Sequence, residues 1–123
     1  MLERNMKTLP INFVVKGWGW ESWIANNELY CGKILFFKKG KQCSFHYHKV
    51  KDETMYLAQG RILMIYSEED DLGKADSVIL EPGDVFYVPP GLRHRMYGEL
   101  DSHLYEFSTQ HFDEDSYRIV KGD

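Results

Sequence analysis

The sequence predicts an all-β chain of the sandwich or barrel type, on three observations. Short runs rich in aromatic and β-branched residues recur along most of the 123 residues. Gly, Pro, Asp or Lys-Gly punctuation separates them. No segment carries a convincing amphipathic helical period, so repeated short strands packed as two sheets or closed into a barrel account for the pattern. The length fits one domain, residues 1–123, with a single hydrophobic core.

Taken in order, the first run is INFVV at 11–15, followed by KILFF at 33–37, which ends on the turn signal Lys38-Lys39-Gly40. CSFHYH (43–48), TMYLA (54–58) and RILMIY (61–66) come next, divided by a loop at Lys49–Asp52 and by Gly60. EEDDLGKAD (68–76) is a loop on composition. SVIL (77–80) and DVFYV (84–88) lead into Pro89-Pro90-Gly91, a tight turn that delivers His94 at the start of a further strand. HLYEF (103–107) follows, and DEDSYRIVKGD (113–123) holds a short turn or a final strand.

Composition narrows the function. Fifteen basic residues against nineteen acidic ones give a formal charge of -4, and no run of Lys and Arg could follow a phosphate backbone, so nucleic acid is not an expected partner. The segment MLERNMKTLPINFVV mixes charges among its apolar residues. It has neither a signal-peptide core nor an apolar run long enough to cross a bilayer, which predicts no membrane partner and a cytoplasmic location. Cys31 and Cys43, the two cysteines, are expected as reduced thiols.

Chemistry concentrates at GKQCSFHYHKVKDETMYLAQG, residues 40–60. Alternation along a strand puts Ser44, His46 and His48 on one face, with Phe45 and Tyr47 on the other. Glu53 opens the next strand, where it can lean toward the same point. By itself an H-x-H pair more often marks a half-exposed strand face without a ligand. A second segment, GDVFYVPPGLRHRMYG at 83–98, adds His94 as a fourth potential ligand from a distant part of the chain.

The first segment reads Gly40, five residues, His46-x-His48, four residues, Glu53, six residues, Gly60. The second reads Gly83, five residues, Pro89-x-Gly91, two residues, His94, with Gly98 in place of the usual final Asn. Together they resemble the two signature motifs of the cupin superfamily. The resemblance implies a cupin jelly-roll barrel (a double-stranded β-helix), with one metal ion held by His46, His48, Glu53 and His94 in the barrel mouth. Three neutral imidazoles and a carboxylate suit a borderline divalent ion, zinc first and Mn, Fe, Ni or Co as alternatives, and leave positions for water or substrate oxygens.

The stretch VVKGWGWESWIANNELYCGKILFFKKG before the first motif, and LYEFSTQHFDEDSYRI after the second, resemble the small cupins similar to phosphomannose isomerase. Gly17 stands where that family often has Pro, and His46 where its longer bacterial enzymes usually carry Gln. The likeness runs over a core of about residues 12–120. It implies an aldose–ketose isomerase of the phosphomannose type, acting on a sugar or sugar phosphate: the metal would hold the oxygens of carbons 1 and 2 while a base passes one proton between them. A metal-dependent oxygenase and a non-catalytic sugar-binding module are the alternatives.

If Lys39-Gly40 is a two-residue hairpin turn, Lys33 lies opposite His46 and Cys31 opposite His48, so Lys33 faces the metal as a candidate catalytic group; otherwise it is a surface lysine. The same register sends Cys43 to the outer face beside Phe36. Glu106, a carboxylate within an apolar strand, either faces solvent or enters the cavity as a second candidate base. Arg95 is expected at the surface, and His103 and His111 as ordinary strand and loop residues. Trp18, Trp20 and Trp23 belong to the core or an interface, with one sugar-stacking role open. Ile34, Phe36, Phe45 and Tyr47 would form an outer apolar patch, which predicts a homodimer.

Overall fold

The structure is a computed structural model that describes residues 6–123; the first five residues of the charged N-terminal segment lie outside the described residues. Eleven strands are present among the described residues: β1 Asn12–Lys16, β2 Gly19–Asn26, β3 Cys31–Phe37, β4 Phe45–Tyr47, β5 Glu53–Gln59, β6 Ile62–Ser67, β7 Asp76–Leu80, β8 Val85–Val88, β9 Arg93–Gly98, β10 Ser102–Ser108 and β11 Tyr117–Val120. Single 3-10 turns at Leu72–Lys74 and Asp113–Asp115 complete the regular structure. No helix among the described residues is long and apolar enough to cross a membrane.

The strands form two antiparallel sheets, one of order β1-β2-β3-β10-β5-β8 and one of order β11-β4-β9-β6-β7. The all-β expectation holds, and β2 adds a strand at GWESWIAN beyond those expected from sequence. Its Trp18 and Trp20 neighbourhood reads as Gly-rich punctuation, whereas pairing to β1 and β3 along its length makes it sheet.

Alternation on the central strands is strict. Cys31, Lys33, Leu35 and Phe37 of β3 are buried with half-buried residues between them, and Glu53, Met55 and Leu57 of β5 are buried with half-buried Thr54 and exposed Tyr56 between them. Register aligns like with like: Leu35 pairs with Leu104, and Leu104 with Leu57, while Glu106 pairs with Lys33 on one side and Met55 on the other. One end of the inter-sheet space is therefore apolar, filled by Leu35, Phe37, Leu57, Ile62, Met64 and Leu104. Each such side chain, fully buried, stabilises the fold by about 1.5–3 kcal/mol. The other end is lined by charged and imidazole groups.

The hairpin register expected for Lys39-Gly40 is overturned. β3 pairs with β2 and β10, β4 pairs with β11 and β9, and the two belong to different sheets. A two-residue hairpin needs positive φ at its first central residue, yet only Gly40 has it here, at φ 82°, and Lys39 does not. The turn instead carries the chain across the sandwich. Gly40 donates its N–H to the Gly98 carbonyl at 2.7 Å, tying the crossing to the end of β9.

That contact also explains Gly98. A Cβ there would stand 2.8 Å from the Lys38 carbonyl oxygen, so the close approach of the crossing chain excludes a side chain. Gly60 is equally constrained: its φ is 96°, and a Cβ would run into Ser102 Oγ.

Further corrections follow from the crossing. Cys43 is buried in the core rather than on the outer face, and Phe45 is fully buried rather than part of an exposed patch. Both cysteines are free. Arg95 is buried, not at the surface: alternation does turn it away from His94, but its guanidinium donates to the carbonyls of Cys43 (2.9 Å) and Lys121 (2.8 Å), holding the C-terminal segment.

Candidate metal centre

His46 sits on β4 directly opposite His94 on β9, and His48 follows β4 by one residue. One ligand nitrogen from each imidazole lies within 4.8 Å of the other two. The turn expected at Pro89–Gly91 is present, with Leu92 N–H bonded to the Pro89 carbonyl at 3.2 Å. Gly91 N–H donates to the His48 carbonyl at 2.7 Å, so the turn that delivers His94 is fastened to the strand that carries His48.

The three rings share one hydrogen-bonding logic. His46 Nδ1 meets the Ser44 carbonyl at 2.8 Å, His48 Nδ1 the Asp115 carbonyl at 3.0 Å, and His94 Nδ1 the Leu92 carbonyl at 3.0 Å. A carbonyl only accepts, so each Nδ1 carries the proton and each Nε2 presents its lone pair to the cavity. Burial keeps the rings neutral. It pushes His94 down to about 4 and, with the Lys51 charge, His48 to about 3; burial and neighbouring His94 hold His46 well below its usual value.

Glu53 comes alongside His48 and His94 from β5. Its Oε1 stands 3.5 Å from His48 Nε2 and its Oε2 3.6 Å from His94 Nε2. With neutral imidazoles these approaches are not ion pairs, and they are too long for hydrogen bonds. Glu53 Oε2 and His94 Nε2 are both buried and have no hydrogen-bond partner. Buried polar atoms are rarely left so, and the His46, His48 and His94 nitrogens together with a neighbouring unpartnered carboxylate oxygen fit a divalent cation. The chain's donor set therefore suits the metal that the sequence pattern anticipates.

Lys51, in the loop between β4 and β5, is buried at the centre of the site. Its Nζ lies 2.9 Å from Glu53 Oε1, 3.0 Å from Glu106 Oε2 and 3.0 Å from His111 Nδ1. Desolvation acts to lower the lysine, but the Glu106 and Glu53 carboxylates outweigh it and raise it. Burial raises Glu106, and the Lys51 and Lys33 charges reverse this and hold it down at about 2. Glu53, desolvated and beside the Glu106 charge, is pushed up to about 7.

Lys33 does enter this cavity, though by pairing with Glu106 and Trp23 rather than with His46. Its ammonium lies 4.1 Å from the centre of the Trp23 ring and 3.7 Å from Glu21 Oε1. Trp23 donates its indole N–H to Glu21 at 2.9 Å, and the Lys33 ammonium covers one of its faces. Trp18 stacks on Phe37 at 4.3 Å, and Trp20 joins Phe13, Phe36 and His103 away from the cavity.

The C-terminal turn closes the site. Asp115 accepts the backbone N–H of Lys49 (2.9 Å), Val50 (3.2 Å) and Lys51 (3.0 Å), while its own carbonyl takes His48 Nδ1. Desolvation raises this carboxyl, and the three amides overcome it, leaving it below its ordinary value. His111 links Lys51 to Asp113, whose Oδ1 is 2.9 Å from His111 Nε2. Arg118 pairs with His46 across β11 and β4 and lines the cavity mouth. Of these, only the acidic Asp113-Glu114-Asp115 run carries a local signal, that of a turn carboxylate satisfying backbone amides. The cavity they enclose has a volume of about 520 Å³ and opens beside Asn12, Lys16, Arg118 and Lys121.

Two antiparallel sheets enclosing inward-facing histidines at one end define a metal-site β-barrel of jelly-roll type. The chain belongs to the cupin domain family, whose match covers residues 34–104 and so contains His46, His48, Glu53 and His94. It is 38% identical over 76 residues to a glucose-6-phosphate isomerase of Thermococcus gammatolerans and 40% identical over 76 residues to that of Pyrococcus abyssi. Each match covers 58% of this chain and 36% of the relative, so the chain aligns with about a third of their length. Among solved structures, KdgF from a Halomonas species superposes with TM-score 0.71 at 19% identity, over 89% of this chain and 98% of that one. The capsular polysaccharide assembling protein CapF from Staphylococcus aureus gives TM-score 0.75 at 18% identity, over 89% and 34% respectively. These two share the fold.

Proposed function

We propose that this chain is a divalent-metal-dependent aldose–ketose isomerase acting on a sugar phosphate. The observation that carries the reading is the convergence of three neutral imidazole nitrogens, with the unpartnered Glu53 Oε2 beside His94, in an open cavity that also holds an ionised Glu106. The glucose-6-phosphate isomerase relatives supply the substrate class, and the resemblance to phosphomannose isomerases extends it to mannose 6-phosphate.

In this reading His46, His48, His94 and Glu53 hold the ion, which supplies Lewis acidity toward the carbonyl and neighbouring hydroxyl oxygens of the sugar. The proton is moved by Glu106. Its Oε2 is held by Lys51 at 3.0 Å and by Ser108 Oγ at 3.2 Å, which leaves Oε1 to take the proton from one carbon and return it to the next. Lys33, beside Glu106 on the same sheet and against Trp23 and Glu21, extends this wall of the cavity and positions the sugar. Arg118, Lys16 and Lys121 line the mouth, where a phosphate would meet them.

The test is interconversion of glucose 6-phosphate or mannose 6-phosphate with fructose 6-phosphate by tag-free protein loaded in turn with Zn, Mn and Fe. Turnover in the absence of oxygen, abolished by chelation, is expected. Oxygen uptake confined to the iron-loaded protein, with no isomerisation, would replace this reading with an oxygenase.

A further inference from the structure

Lys51 is pinned from both ends. Its backbone N–H is held by Asp115 Oδ2 at 3.0 Å, and its ammonium has three hydrogens and three acceptors: Glu53 Oε1, Glu106 Oε2 and His111 Nδ1. The His111 contact is consistent with the rest, since His111 Nε2 faces the Asp113 carboxylate and carries the ring proton, which leaves Nδ1 to accept. All donors are used, and the side chain is only 3% exposed, so the ammonium has no alternative seat. One Glu53 oxygen is thereby occupied while the other, Oε2, has no partner.

We propose that Lys51 is the positioning residue of the metal centre: by holding Glu53 Oε1 against Glu106 Oε2 it restricts Glu53 to a single metal-binding oxygen and limits how tightly the site takes a divalent cation. This rests on the reading of Glu53 and the three histidines as the metal's donors. The first effect is geometric, because a carboxylate with both oxygens free can clamp a metal through two bonds, raising the coordination number and using a position a substrate needs. The second is electrostatic, because a fixed positive charge one carboxylate away from a divalent ion repels it at low dielectric. A catalytic site gains from both, since the metal keeps open positions.

The test is the affinity of tag-free protein for Zn(II), measured by competition with a chromophoric chelator, together with the visible spectrum of the Co(II)-loaded form. Lys51→Met is expected to bind Zn(II) about tenfold more tightly or better, because a unit charge leaves the site. Its Co(II) absorption should weaken as Glu53 adds a second bond and the geometry moves away from four-coordinate. Lys51→Arg, which keeps the charge and the hold on Glu53, should restore the wild-type spectrum. Unchanged or weaker Zn(II) binding with an unchanged Co(II) spectrum in folded Lys51→Met would overturn the assignment.

If Lys51→Met does not fold, the charge-neutral pair Lys51→Met with Glu106→Gln decides, compared with Glu106→Gln alone. A shifted Co(II) spectrum supports the assignment, and an identical one overturns it. Wild-type protein that binds neither ion removes the metal-centre reading itself, and Lys51's role with it.

Discussion

Lys33 and Glu106 lie side by side on β3 and β10, but their surroundings give them different work. Glu106 is held ionised by two ammonium groups and keeps an oxygen toward the cavity, whereas the Lys33 ammonium is already engaged by the Trp23 face and Glu21. With metal content confirmed equal, Glu106→Gln should lower kcat on a hexose 6-phosphate by about 100-fold or more, as loss of a general base does. Lys33→Met should instead raise KM while leaving kcat within about threefold, because a wall residue acts alike on ground and transition states. The opposite split in the two constants would exchange their roles. Lys33 was placed toward the metal by a hairpin register that the fold does not have, and it reaches the cavity through β2 and β10 instead; Glu106 stood out as a charge in an apolar run, with solvent and cavity both open to it. Lys51, at the centre of the same cluster, had no such mark, because a lysine between Val50 and Asp52 reads as a solvated loop until the tertiary fold buries it.

At the level of elements, the motif strands were legible because the histidines and glycines fix alternation and turns locally. The partner of each strand was not. The Lys39-Gly40 turn looks like a hairpin in sequence, and only the crossing to the second sheet, stapled by Gly40 and Gly98, shows that β3 and β4 never pair. The same limit hides the bond between the 48–52 loop and the C-terminal turn, since the Asp115 contacts span more than sixty residues. Asp115→Ala should orphan three backbone N–H groups and release the His48 loop. A loss of about 2–4 kcal/mol in chemical denaturation is expected, with weaker metal binding alongside it. Wild-type stability with wild-type metal content would show that the turn does not hold the site.

For the whole molecule, the buried imidazoles tie stability to pH. Folded His48 and His94 titrate at about 3 and about 4, and His46 well below 6.5, so unfolding below pH 6.5 takes up protons at all three. That stability is complete above the unfolded value of 6.5 and is lost as pH falls toward the folded values. Glu53, raised to about 7, acts in the opposite sense: its contribution is present below 4.5 and fades as pH rises through 7. His111, also lowered by burial, acts with the three ligand rings, so four imidazoles against one carboxyl leave a net loss on acidification, and metal-free protein should show a lower denaturation midpoint at about pH 4.5 than at about pH 7. A higher midpoint at the acid end would mean that the rings are not held neutral. The central claim is that the histidine cluster holds a divalent metal on which isomerisation depends, and elemental analysis of tag-free wild type and His94→Ala, each assayed on glucose 6-phosphate, tests it most directly. Near one equivalent of metal with turnover in the wild type, and loss of both in a His94→Ala protein that keeps its β-sheet circular dichroism, is the predicted result; equal metal content in the two proteins, or wild-type turnover that survives complete chelation, would contradict it.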